Sequence, residues 1–66
     1  MDFGKAVLMG IASKRMKRKQ VALDLGISIN YLYAICNNQK TPSLSLLLAM
    51  SDLFGMPLSS LIKLGE

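Results

Sequence analysis

The sequence has 66 residues, no histidine and a single cysteine, Cys36. A disulfide framework needs paired cysteines, and a structural zinc site needs four Cys or His ligands. Neither can be built within the chain. A lone cysteine also fits a reducing compartment. Acids are scarce too: Asp2, Asp24, Asp52 and Glu66 are the only carboxylates among the side chains, and no glycine-rich loop could cradle a phosphate. With no histidine and so few acids, no catalytic constellation can be assembled, so neither an enzyme nor a bound cofactor or metal is expected. Aromatics number four, two Tyr and two Phe, so the core must be aliphatic with methionine as filler. Long apolar runs are missing as well. Asp24, Gly26, Asn37, Asn38, Ser51 and Gly55 interrupt them short of transmembrane length. The N-terminus lacks the basic-then-apolar order of a signal peptide. The expectation is a cytoplasmic protein with no membrane partner.

What the chain does contain is apolar residue, at 52%, enough for a packed fold rather than a disordered tail. Its length suits one domain, residues 1–66, with no room for a second core. So small a domain is marginal by itself, which leaves a partner subunit as a source of stability. The net charge is +4, and five of the eight cations fall between Lys14 and Lys19, in "KRMKRK". Such a run is either a solvated basic face or an attraction for phosphate.

Apolar spacing and cap residues divide the chain into five short helices. Asp2 is placed to cap the first, Phe3 to Ser13, in which Val7, Leu8, Ile11 and Ala12 recur at helical spacing. The second runs from Arg18 to Leu25, with Val21, Ala22 and Leu25 as its stripe and Gly26 as a left-handed stop. Ser28 caps the third, Ile29 to Cys36, which Asn37-Asn38 ends. Thr41-Pro42 is the expected start of the fourth, with Leu44, Leu47, Met50, Ser51 and Phe54 at helical spacing and Gly55 at its end. Pro57 opens a fifth carrying Leu58, Leu61 and Ile62. No segment alternates like a strand, and there is no repeat.

The break at Gly26 has a geometric meaning. Two short helices joined by a tight turn cross steeply, as in a helix-turn-helix unit, here about residues 18–36. Ala22, four residues before Gly26, is small enough to let the third helix approach. Ile27 can plug the turn into the core. Leu32 and Ile35 can pin the third helix from beneath, leaving its opposite face free, to enter a major groove if DNA is the partner.

The stretch "VALDLGISINYLYAICNNQKTPS" resembles the helix-turn-helix of the phage-repressor and Cro-like family of bacterial regulators. The family pattern is met by Ala22, Gly26, Ile27, Ser28, Leu32, Ile35, Asn38, Pro42 and Ser43, and the likeness runs from Phe3 to Ile62. It implies an all-α, lambda-repressor-like domain that binds double-stranded DNA. Two departures stand out. Where the family commonly starts its second helix with Ser or Thr and then Gln, this chain has Lys17 and Arg18. Arg18 would take over the phosphate contact of that Gln, making it more salt-dependent and no more sequence-specific. The family's frequent Arg–Glu pair falls at Ile11 and Cys36, both apolar here. Replacing a whole buried pair by apolar groups is often neutral or stabilising, whereas losing one partner is costly.

On this resemblance Asn30 is the sharpest candidate for base reading, since its amide can pair with adenine N6 and N7. A solvated Asn near a helix start is the plainer alternative. Ile29 and Ala34 would offer apolar contact, most naturally to a thymine methyl. Tyr33 would reach a base or a phosphate, or else pack along its helix. Lys17, Arg18, Lys19, Ser28, Tyr31, Asn37, Gln39 and Lys40 are the phosphate candidates. Capping alone would explain Ser28, and a polar loop would explain Asn37, Gln39 and Lys40. Apolar Leu46, Leu48, Leu58 and Ile62 exceed what a small domain should expose, and Leu58 with Ile62 are candidates for a homodimer interface.

The resemblance implies transcriptional regulation. The expected protein is a small Cro-like phage or prophage repressor, dimeric on a pseudo-palindromic operator and taking no small-molecule ligand. An antitoxin-type autoregulator of the same fold is the nearest rival. A protein-interaction module acting on another regulator is a rival of a different class. RNA binding would want an exposed aromatic platform that the sequence does not offer.

Overall fold

The computed structural model describes residues 2–66 and shows five helices: α1 Phe3–Ser13, α2 Arg18–Leu25, α3 Ile29–Cys36, α4 Leu44–Phe54 and α5 Leu58–Leu64. Three begin on a side-chain cap. Asp2 accepts from the Lys5 N–H at 2.8 Å, Ser28 from that of Tyr31 at 3.1 Å and Ser43 from that of Leu46 at 3.2 Å. Each satisfies a first-turn donor that has no partner within the helix. The Asp2 carboxyl lies below its ordinary pKa, chiefly because of the Lys5 backbone bond and then of one from Asn38.

The first three helices have the expected limits; the start of α4 does not. Ser43, rather than Thr41, supplies the cap, and Pro42 is buried ahead of the helix instead of opening it. Both Thr41 and Ser43 carry the hydroxyl that a cap needs, and the packing of the Pro42 ring leaves Ser43 to supply it. Leu44, the first residue of α4, is 64% exposed. Ala12 also lies outside the core, and Ala6 takes an inner position on α1.

Helices α1 to α4 close in the same way. Gly26 and Gly55 have φ of 70° and 69°, and Arg15 and Asn38 have φ of 53° and 61°. At each, the N–H of the left-handed residue and that of its successor turn back onto the last carbonyls. After α2, for example, Gly26 donates to Leu23 O at 3.2 Å and Ile27 to Ala22 O at 3.0 Å. This is the Schellman arrangement. Arg15 does the same with Met16 following, donating to Ala12 O at 3.0 Å while Met16 donates to Ile11 O at 3.1 Å.

One core joins all five helices: Ala6, Val7 and Ile11 of α1, Val21 and Ala22 of α2, Leu32, Ile35 and Cys36 of α3, Leu47, Met50 and Phe54 of α4, and Leu61 of α5. The Ile11 and Cys36 that replace the family's ion pair are both buried in it. Burial raises the Cys36 thiol pKa, against an opposing effect of the Arg18 charge. α1 packs against α3, α4 and α5, while α2 packs against α3 and α4. Helices α4 and α5 meet at 94°. Among the described residues no single helix is long and apolar enough to cross a membrane.

The left-handed Arg15 suggests a stability test. A non-glycine residue there costs roughly 1–2 kcal/mol, while glycine gives back part of that through its freer unfolded chain. Arg15→Gly is therefore expected to stabilise the fold by about 0.5–1 kcal/mol in urea denaturation. A lower midpoint would show that the exposed Arg15 side chain contributes more than its backbone costs.

Candidate nucleic-acid interface

α3 is held by its inner face. Leu32 and Ile35 are completely buried and Cys36 nearly so, which turns the opposite side outward. Asn30, Ala34 and Asn37 recur there at spacings of four and three, so they share one stripe. Asn30 and Asn37 are exposed and Ala34 is half-buried. Ile29 and Tyr33 form a neighbouring stripe, the first half-buried and the second exposed. Of the four expected base readers, Asn30, Tyr33 and Ala34 thus lie away from the core, whereas half-buried Ile29 packs against it and has only its remaining surface to offer. Tyr31 is half-buried and its side chain packs against the core, so it has a structural part whatever else it contacts. The Ser28 hydroxyl is engaged as the α3 cap.

The basic run divides into two. Lys14 reaches across to the end of α4, where a Cβ on Gly55 would stand 3.1 Å from its Nζ. A cation is favourable there, against the negative end of a helix. Lys17, Arg18 and Lys19 instead cluster at the start of α2 and are exposed. Lys17 offers no side-chain cap and no acid occupies the first turn of α2. Three cations therefore lie at the positive end of a helix, an unfavourable placement that a phosphate would relieve. Arg18 also crosses to α3, its guanidinium carbon 5.5 Å from the centre of the Tyr33 ring. This is within range of a cation–π contact, so the strongest phosphate candidate and one base-reading candidate are in contact.

The loop after α3 brings Asn37, Gln39 and Lys40 to the surface. Its backbone donors are already used. The N–H groups of Gln39 and Lys40 both turn to Ala34 O, at 2.8 and 3.3 Å. Any phosphate contact from these two residues falls to their side chains.

Two features escaped the sequence reading. An open apolar groove of about 350 Å³ runs between α2 and α3, lined by Lys19, Ala22, Leu23, Ile27, Ile29 and Tyr33. Leu23 forms its outer wall and is 73% exposed. The only trace in the sequence is a leucine off the α2 stripe, four residues after Lys19. The second feature is the side chain of Asn38, which bonds Asp2 and Gly4 across the molecule. Nothing local marks it. On α5, Leu61 is fully buried as expected, while Leu58 and Ile62 are half-buried. Leu44 and Leu48 on α4 are more exposed than either.

A family model described as helix-turn-helix matches residues 11–61, a span from the end of α1 into α5. The chain belongs to this family, the phage-repressor and Cro-like helix-turn-helix proteins, whose members are DNA-binding transcriptional regulators. No curated protein and no solved structure matches the chain.

A salt titration tests the Arg18 contact. Arg18→Ala is expected to weaken binding to all duplex sequences about equally and to lower the salt slope by about one ion per subunit. A changed base preference at an unchanged slope would make Arg18 a base reader instead.

Proposed function

We propose that the chain is a sequence-specific repressor of the small Cro-like kind, acting as a homodimer on a pseudo-palindromic operator in the cytoplasm of a bacterial cell. The observation that carries this reading is the pinning of α3. With Leu32 and Ile35 buried, the stripe of Asn30, Ala34 and Asn37 is turned outward, with exposed Lys17, Arg18 and Lys19 at the start of α2 and exposed Gln39 and Lys40 in the loop after α3. Cations and amides in these two places suit the sugar–phosphate backbone that borders a major groove. Asn30 and Ile29 read bases, Ala34 admits a thymine methyl, and Tyr33 reads a base or steadies Arg18. Ser28 and Tyr31 add phosphate contacts at the start of α3. No small-molecule ligand takes part.

Dimerisation places two copies of α3 one helical turn apart. Half-buried Ile62 supports an interface on α5, to which Leu58, packed in part against the core, adds its remaining surface. Selection of duplexes from a random pool tests the whole reading, for it returns a palindrome, its half-site spacing and its base preferences. A pool that enriches no sequence, with binding indifferent to salt, would favour a protein-interaction module.

Asn30→Ala is expected to relax preference at one symmetric pair of base positions by about 1–3 kcal/mol per half-site. Affinity for random duplex should hardly change, since that part comes from the cations. Equal losses on selected and random duplex would place Asn30 on the backbone, with sequence read by Tyr33 or by DNA shape. Replacing Leu58 and Ile62 together by Ser should leave a folded monomer that no longer binds a full site more tightly than a half-site. A wild-type chain that sediments as a monomer and binds both alike would refute the dimer.

A further inference from the structure

Asn38 stops α3, and a glycine would satisfy its left-handed backbone at least as well. Its side chain does something that glycine could not. Oδ1 accepts from the Gly4 N–H at 2.9 Å, and Nδ2 donates to Asp2 Oδ1 at 2.8 Å. The Gly4 N–H is one of the first-turn donors of α1 that the helix itself leaves unpaired. The same Asp2 oxygen accepts from the Lys5 N–H, so a single amide joins the α3–α4 loop to the cap of α1.

The surroundings fit this clasp closely. The start of α1 lies so near the end of α3 that a Cβ on Gly4 would stand 2.8 Å from the Cys36 carbonyl carbon. Asp2 is itself anchored, its N–H donating to Gly65 O at 2.9 Å. Residues 37–41 are all exposed. Within that loop, Gln39 and Lys40 are tied by their backbone only to Ala34 O.

We propose that Asn38 is a positioning residue for DNA binding: by clasping Asp2 and Gly4 it holds the loop that carries Asn37, Gln39 and Lys40 in its phosphate-gripping place before DNA arrives. The proposal rests on the DNA-binding reading above. Its physical basis is preorganisation. A loop already ordered in the free protein loses less conformational freedom on binding, and that saving appears as affinity.

The test uses a short duplex of random sequence, which reports phosphate contacts alone, and hydrogen exchange in the free protein. Asn38→Gly keeps the backbone stop and removes the clasp. Exchange at the Gly4 amide should accelerate, while the Leu32 and Ile35 amides stay protected and show the fold intact. Affinity for the duplex should fall about tenfold, with a salt slope smaller by about one ion per subunit. Asn38→Asp sets two carboxylates against each other and should weaken binding as much. Asn38→Gly with wild-type affinity and slope, although exchange at the Gly4 amide has accelerated, would overturn the proposal alone. A wild-type chain that binds no duplex at low salt would overturn the DNA-binding reading and this proposal with it.

Discussion

The outward face of α3 depends on the burial of Leu32 and Ile35 beneath it. Each is completely shielded from water, and burying such a side chain stabilises by roughly 1.5–3 kcal/mol. Three residues apart, they fix the rotation of the helix as well as its position. Rotation decides which residues meet solvent, so the stripe of Asn30, Ala34 and Asn37 follows from two hydrophobic contacts on the other side. The turn at Gly26 supplies the steep crossing, and Ala22, almost completely buried, supplies the room for it.

Charge is arranged with less regard for stability. Lys14 at the end of α4, and Lys5, whose Nζ donates to Glu66 O at 3.0 Å beyond α5, sit where helix dipoles favour them. Lys17, Arg18 and Lys19 occupy the opposite kind of place, a helix start with no acid and no side-chain cap. A fold selected for stability alone would put an aspartate there. The exception falls beside the outward face of α3, and it costs the free protein something that an anionic partner returns.

Much of the fold was legible because its signals are local. Asp2, Ser28 and Gly26 each act within four residues, and the limits of α1, α2 and α3 follow from them. α4 was misplaced because Thr41 and Ser43 are chemically equivalent as caps, and only the burial of Pro42 separates them. Arg15 was read for its charge, which says nothing of its left-handed backbone. The basic run likewise looked uniform, although Lys14 belongs to α4, some forty residues further along the chain. The Asn38 bonds span 34 and 36 residues, beyond the reach of any periodicity. The outward residues of α3 were legible because a buried i, i+3 pair leaves little choice of opposite face. Leu23 was not, since its groove exists only once α2 and α3 are packed.

The central claim is that the outward face of α3 meets base edges. Backbone amide shifts of the labelled protein, followed while a duplex recovered by selection is added, test it most directly. The largest changes should fall at Ile29, Asn30, Tyr33 and Ala34, with smaller ones at Lys17 to Lys19 and at Asn37 to Lys40. Shifts concentrated instead at Leu44 and Leu48 on α4, with α3 unmoved, would contradict the account.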